Sequence, residues 1–168
     1  IIDIAWVAEL SKAAGSSLIV DNTFASSYFQ QPLALGADVS LLSTTKYSNG
    51  HSDCLGGVVC TNSPDWQDKM VFAQKALGLH PSPFDSWLIS RGVKTQSLRM
   101  ERHHTNALEF AQFLETTWPE AIVRFPFLPS HPLLLSSPAC LALGVVLLVP
   151  LGPGLGAQEA LGELRVDL

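Results

Sequence analysis

Short apolar runs of strand length alternate with segments that carry helix signals, and this alternation limits the possible fold more than any other feature. The runs SLIV (17–20), ADVSLL (37–42) and LGGVVC (55–60) are predicted strands. Strands that alternate with helices favour a mostly parallel sheet covered by helices, so the predicted fold class is α/β. The predicted helices occupy residues 1–15, 63–78, 82–92 and 95–117.

Helix boundaries are marked most clearly in the second of these helices. Ser63 is a predicted N-cap, Pro64 follows at the first helical position, and Gly78 is a predicted terminator. Gly15 is a plausible stop for the first helix. These signals support the helices predicted at 63–78 and 1–15, and the first also has Ile4, Val7 and Ala8 on one face.

Charge and cysteine content exclude several classes of function. The net charge is −5 and the basic residues are scattered, so no nucleic-acid partner is expected. Cys54, Cys60 and Cys140 lack metal-ligand spacing, which argues against a cysteine-rich zinc site and favours a reducing compartment. The N-terminus lacks a starting Met and has no signal-peptide pattern, so we expect a truncated or processed cytoplasmic protein.

The segment after Pro132 differs from the rest of the chain. Residues 133–158 carry no charge, and Pro138, Pro150 and Pro153 interrupt the segment. Its unbroken apolar runs are shorter than the ~20 residues that a membrane-spanning helix needs, so no membrane association is expected. Only 15% of all residues are charged, against a usual ~25%, which also indicates burial of surface in a larger assembly.

Polar residues stand at the predicted ends of two strands. Asp21 follows the first strand, and Ser43, Thr45 and Lys46 follow the second. Ligands of α/β sheets bind at the carboxyl ends of strands, so these side chains are expected to share one site.

The residue types at this site suit one cofactor. An amine held out of water favours its neutral form, which attacks aldehydes to form a Schiff base, so Lys46 is the candidate nucleophile. Hydroxyls of Ser43 and Thr45, with amides of a tight turn, can hold a phosphate. The carboxylate of Asp21 can keep a pyridine nitrogen protonated. A ligand with phosphate, aldehyde and pyridine groups is pyridoxal 5′-phosphate, which is the predicted cofactor.

These residues lie within a longer pattern. The stretch VDNTFASSYFQQPLALGADVSLLSTTKYSNGHSD (20–53) closely resembles the Cys/Met-metabolism family of pyridoxal-phosphate enzymes. The resemblance continues through LGLHPSPFDSWLISRGVKTQSLRMERH (77–103) to FPFLPSHP (125–132). It implies part of the large domain of a fold-type-I enzyme, over residues 1–132.

The resemblance also implies residue roles. Lys46 would form the Schiff base and move protons, and Asp21 would pair with the pyridine nitrogen. Ser43 and Thr45 would bind the phosphate, and Thr23 would lie near the cofactor ring. No metal is implied.

The implied activity is carbon–sulfur cleavage in transsulfuration, which converts cystathionine to cysteine, 2-oxobutyrate and ammonia. The β-lyase, γ-synthase and methionine γ-lyase branches share the same motifs and stay open as alternatives. The motifs VDNTF and TKYSNGHSD resemble a transaminase-like or decarboxylating enzyme of this fold less closely. The family also implies a small sulfur amino acid as substrate and a homotetramer.

The chain departs from the family in length. Members are more than twice as long and include a glycine-rich phosphate loop and a C-terminal domain with a carboxylate-binding arginine. We therefore expect residues 133–168 to be a divergent tail, through a frameshift or misplaced exon or as a genuine terminus. We expect little lyase activity from the chain alone, and a non-catalytic truncated isoform or gene-model product is the alternative.

Several other polar residues are expected to be structural. His51 is expected to be a buried, hydrogen-bonded histidine. His103 and His104 are expected to lie on a solvated helix face. Cys54 and Cys60 are expected to be small core residues.

Overall fold

The computed structural model describes residues 2–131, so the predicted tail, with Cys140, lies outside the described residues. A π-helical turn that carries Lys46, Thr44–Ser48, is called the lysine turn below. The other elements are α1 (Ile4–Ala13), β1 (Ile19–Asp21), α2 (Ser26–Phe29), β2 (Val39–Ser43), β3 (Gly57–Thr61), α3 (Pro64–Leu77), α4 (Pro83–Val93) and α5 (Gln96–Thr117).

The sheet has the strand order β1-β2-β3. β1 and β2 are parallel, with Asp21 opposite Leu41, whereas β2 and β3 are antiparallel, with Ser43 opposite Gly57. The α/β class is confirmed, and the described part of the sheet has one parallel and one antiparallel pair. Parallel strands need a long crossover, whereas residues 44–56 form only the lysine turn and a loop, so the chain returns beside β2 in the opposite direction.

Each strand begins two residues later than the apolar run that predicts it. Before β1, the amide of Leu18 donates to the carboxylate of Asp38 at 2.7 Å and therefore does not join the ladder. Before β3, the amide of Gly56 donates to Thr45 Oγ1 at 3.2 Å. Side chains thus take the amides that immediately precede both strands, and hydrophobicity alone cannot reveal such a local competition.

The helix ends follow the capping signals. Ser63 Oγ accepts a hydrogen bond from the amide of Trp66 at 3.4 Å, and Pro64 occupies the first turn of α3. Gly78 ends α3 in the left-handed conformation, with φ of 66°. The predicted cap, first residue and terminator of this helix are confirmed.

A cluster of buried apolar residues lies at the C-terminal end of α5. It consists of Ala111, Leu114, Val123, Phe125 and Leu128, so the segment after α5 folds back onto that helix. The same helix also packs against α2, α4 and the lysine turn. α5 therefore connects the core to the segment that follows β2.

Candidate functional site

A chain of hydrogen bonds joins the carboxyl ends of the two parallel strands. Asp21 Oδ1 accepts from Thr23 Oγ1 at 2.6 Å and from the amide of Thr23 at 3.0 Å. Thr23 Oγ1 in turn accepts from the amide of Ser43 at 2.8 Å. Thr23 is buried and the carboxylate of Asp21 is exposed. The buried hydroxyl thus fixes the aspartate relative to the start of the lysine turn.

The lysine turn is stabilised by local backbone hydrogen bonds. The amide of Asn49 donates to the carbonyl of Thr44 at 3.0 Å, and the amide of Gly50 donates to the carbonyl of Lys46 at 2.7 Å. Lys46 itself has φ of −86° and ψ of −124°, which lies outside the helical region. Its side chain is exposed and makes no hydrogen bond or ion pair with the described residues.

A cleft of about 760 Å³ opens beside this turn. Thr45 and Lys46 both line it, whereas Asp21, Thr23 and Ser43 form the linked group at the adjoining strand ends. The structure therefore holds the five predicted residues in two connected groups. The cleft is completed by Phe24, Tyr47, Gly50, Ser52, Asp53, Cys54, Leu55, Asp85 and His103.

Hydroxyl groups near the turn differ in their partners. Thr45 Oγ1 accepts from Gly56 and keeps its own proton available for donation. Thr44 Oγ1 is buried and has no hydrogen-bond partner among residues 2–131. The sequence motif had not distinguished Thr44, because its neighbours Ser43 and Thr45 carry the same chemical group.

The expected exclusion of water from Lys46 is not provided by the described residues, because the side chain is exposed. The lysine follows the buried β2 residue Leu42 by only four positions. The turn of the chain after Ser43 carries the lysine away from the buried side of β2. The predicted position of Lys46 at the end of a core strand therefore did not show whether its side chain is buried.

The two cysteines within the described part of the chain are one buried and one exposed thiol. Burial, followed by the negative charges of Asp53 and Asp85, raises the pKa of Cys54. This thiol therefore stays protonated at neutral pH and is a poor nucleophile. Cys54 is buried as expected, but Cys60 is exposed, because β3 has little cover among the described residues.

The histidines follow the sequence expectations only in part, because His103 is exposed on α5 as expected whereas His104 and His51 differ. His104 is half-buried, because it packs against Phe127, with ring centroids 4.4 Å apart, and against Phe125. His103 lines the cleft and meets Tyr47 edge to face at 5.4 Å. His51 is exposed, although its Nδ1 lies 2.7 Å from the carbonyl of Asn49. The helical pattern of α5 could not reveal that loops cover one side of it.

A family model for Cys/Met metabolism PLP-dependent enzymes matches residues 1–135, so the chain belongs to this family of pyridoxal-phosphate-dependent enzymes. The resemblance inferred from the sequence motifs and the cofactor that it implies are thereby confirmed. No described helix is long and apolar enough to cross a membrane.

The names of the individual relatives describe different enzyme activities. The chain is 54% identical over 115 residues to cystathionine gamma-lyase of Mus musculus, which covers 68% of the chain and 29% of the mouse protein. It is 48% identical over 132 residues to cystathionine beta-lyase of Lactococcus lactis subsp. cremoris, covering 79% of the chain and 35% of that protein. The chain thus spans about a third of the length of the curated relatives that it matches.

A solved structure agrees with the described fold. The crystal structure of cystathionine gamma synthase from Xanthomonas oryzae pv. oryzae, in complex with aminoacrylate and cysteine, matches with a TM-score of 0.73 at 42% identity. The match covers 79% of this chain and 34% of the synthase chain. The fold is therefore that of a partial pyridoxal-phosphate-dependent enzyme, whereas lyase and synthase activities are not separated.

The side chains at the site are chemically suited to the cofactor of this family. The site offers an amine at Lys46 that has no partner among residues 2–131, a hydroxyl proton at Thr45 and an exposed carboxylate at Asp21. Only one oxygen of Asp21 is occupied by Thr23, which leaves the other to accept a further hydrogen bond. An aldehyde, a phosphate and a protonated ring nitrogen need these three groups.

Proposed function

We propose that this chain supplies the cofactor-anchoring part of a pyridoxal-phosphate-dependent carbon–sulfur lyase that acts on cystathionine. The observation that carries the proposal is the hydrogen-bond chain from Asp21 through Thr23 to Ser43, three residues before Lys46. It couples a carboxylate at the end of β1 to the segment that presents an amine at the end of β2. Membership of the family supports the same conclusion.

Each proposed role uses a group that the residue has available. The amine of Lys46 would hold the cofactor through its aldehyde group, and it would remove the proton at the substrate Cα. The carboxylate of Asp21 accepts a hydrogen bond from the protonated ring nitrogen, and Thr23 orients that carboxylate. Ser43 and Thr45 donate hydroxyl hydrogens to the phosphate. When bound, the cofactor supplies an electron sink for the carbanion formed at Cα.

The proposed reaction cleaves the Cγ–S bond of cystathionine. With one water, the products are cysteine, 2-oxobutyrate and ammonia, which balance the atoms of the substrate. The similarity to the mouse gamma-lyase supports this assignment. β-Elimination, γ-replacement and methionine cleavage are the competing reactions within the family, and the identity of the keto acid product distinguishes β- from γ-elimination.

The cofactor role of Lys46 is tested by mixing the 168-residue chain with pyridoxal phosphate, reducing with borohydride and mapping the modified peptide by mass spectrometry. We expect a visible absorption band and a stable pyridoxyl group on Lys46. Lys46→Ala should lose both. Lys75→Ala is the matched control, because Lys75 is an exposed lysine on α3, and it should behave like the unmodified chain.

A pyridoxyl group spread over several lysines, with no loss in Lys46→Ala, would overturn the assignment of this residue. Keto acid formation from cystathionine is a separate test of the reaction. Pyruvate in place of 2-oxobutyrate would identify β-elimination at the cysteine half of the substrate.

The exposure of Lys46 favours one alternative, in which this chain has no activity of its own. In that case it would be a non-catalytic truncated isoform or gene-model product. We further propose that the family part extends over residues 1–132 and that 133–168 is a divergent tail. We also propose that the complete enzyme is a cytoplasmic homotetramer, which sedimentation of the longer protein would test.

A further inference from the structure

Carbonyl groups at the end of the lysine turn are capped by a side chain that is distant in sequence. The carbonyl of Tyr47 accepts from Arg99 Nη1 at 2.8 Å, and the carbonyl of Ser48 accepts from Arg99 Nη2 at 3.4 Å. The last carbonyls of a helical turn lack partners within the turn itself. Arg99 supplies the donors that these two carbonyls need.

Arg99 is itself held by the two helices that meet beside the turn. Its Nε donates to Thr95 Oγ1 at 3.1 Å, and its Nη2 donates to the carbonyl of Gly92 at 2.9 Å. One planar guanidinium therefore joins the end of α4, the start of α5 and the lysine turn. Burial lowers the pKa of Arg99, but a guanidinium keeps its charge throughout the physiological range.

Two glycines allow the close approach that this arrangement requires. A side chain on Gly92 would collide with the backbone of Asn49, and one on Gly50 would collide with the Arg99 guanidinium. Gly50 also has φ of +78°, which side chains disfavour. The turn is thus packed directly on α4 and on Arg99, with no intervening side chain.

The backbone of Lys46 needs this support. Its φ of −86° and ψ of −124° fall outside the favoured regions, and such a conformation persists only where the surroundings impose it. The hydrogen bonds to Tyr47 and Ser48 act on the two residues immediately after the lysine. If they were lost, Lys46 could relax toward helical angles, which would redirect its side chain from the cleft.

We infer that Arg99 is a positioning residue that fixes the lysine turn so that the Lys46 amine faces the cofactor cleft. The inference rests on the proposed function, because the position of the amine affects activity only if the amine attaches the cofactor. Arg99 does not itself line the cleft, and it bonds the main-chain carbonyl of the lining residue Tyr47, so it acts through the backbone of the turn. Its planar fork matches two neighbouring carbonyls, which a lysine ammonium could not bridge in the same way.

The test compares Arg99→Ala, Arg99→Lys and Arg102→Ala in the 168-residue chain. Arg102 is an exposed arginine on the same helix and is the matched control for loss of charge. The equilibrium constant for attachment of pyridoxal phosphate to Lys46 is measured per folded molecule by absorption. Amide hydrogen exchange of Asn49 and Gly50, which close the turn, is measured without cofactor.

We expect Arg99→Ala to weaken cofactor attachment at least about tenfold and to speed exchange at both amides, because two hydrogen bonds to the turn are lost. Arg99→Lys should fall between the alanine variant and the unmodified chain, and Arg102→Ala should change neither readout. Methylguanidinium added to Arg99→Ala should restore part of the attachment. A role in general stability alone would not produce that rescue.

Unchanged attachment and unchanged exchange in a folded Arg99→Ala protein would overturn the inference. If Arg99→Ala does not fold, Arg99→Lys decides: attachment and exchange equal to those of the unmodified chain would refute the requirement for the guanidinium fork. If the unmodified chain attaches no cofactor, the proposed function fails for this chain. The exchange measurement then still decides whether Arg99 holds the turn.

Discussion

Thr23 is the residue on which the geometry of the site most depends. Its hydroxyl donates to Asp21 and accepts from the amide of Ser43. One buried group therefore forms hydrogen bonds at the ends of both β1 and β2. The motif VDNTF places a threonine two residues after the aspartate, but the bond to Ser43 joins residues twenty positions apart. The sequence could therefore indicate its vicinity to the cofactor and could not indicate its partner.

Replacing Thr23 by valine should lower the free energy of unfolding by about 1–3 kcal/mol, because the amide of Ser43 loses its acceptor at a partly buried position. Cofactor attachment should also weaken, because Asp21 loses the shorter of its two hydrogen bonds and keeps only the one from the amide of residue 23. Urea denaturation and absorption titration measure the two effects. Thr105→Val is the control, since that exposed hydroxyl bonds only the carbonyl of Glu101 in its own helix. Equal effects of the two substitutions would contradict the assigned role of Thr23.

Among the secondary-structure elements, the junction of α4 with the lysine turn is the most sensitive to added volume. Gly92 lies on α4, where its missing side chain admits the backbone of Asn49. In an exposed helix, alanine in place of glycine would stabilise by ~1 kcal/mol. At this position the added methyl group meets backbone that cannot rotate away, so the packing cost is expected to exceed that gain.

Gly92→Ala should therefore lower the melting temperature and speed hydrogen exchange in the lysine turn, with overpacking costing about 1–3 kcal/mol. Gly78→Ala provides the comparison. It strains a left-handed helix end with φ of +66°, but apart from the adjoining residues no atom of the described chain lies within 4 Å of the added group. This variant should lose stability without altering exchange at Asn49 or Gly50. Faster exchange at these amides in both variants would contradict a specific contact between α4 and the turn.

At the scale of the whole molecule, the described residues leave many large apolar side chains exposed. Phe72 is 73% exposed, Leu77 70% and Phe84 65%, and all lie on or beside the surface helices α3 and α4. The chain also spans only about a third of its relatives' lengths. We attribute the low charge content to surface that is covered in a larger assembly.

A polypeptide of these 168 residues, assayed alone, should convert cystathionine far more slowly than a full-length relative. The reason is that Lys46 stands exposed in an open cleft, whereas efficient catalysis requires an oriented substrate and exclusion of water. Release of 2-oxobutyrate per cofactor-bound chain is the measurement. Turnover equal to that of a full-length relative would contradict this prediction.

The amino-acid sequence alone determined the α/β class, the capped helix α3, the family and its cofactor. These properties depend on local chemistry: capping residues, hydrophobic runs of strand length, and a dense motif around Lys46. The roles assigned to Asp21, Ser43, Thr45 and Thr23 remain sequence-based predictions that the geometry supports.

Only the tertiary structure decided the antiparallel return of β3, the exposure of Lys46, the packing of His104 among phenylalanines, and the contact of Arg99 with the lysine turn. Each depends on residues that are far apart in sequence. Arg99 meets Tyr47 across fifty-two positions, and the sequence gives no local periodicity or cap that encodes such a distance. Hydrogen bonds of this kind arise because folding brings unsatisfied carbonyls and donors together, which is a property of the assembled chain.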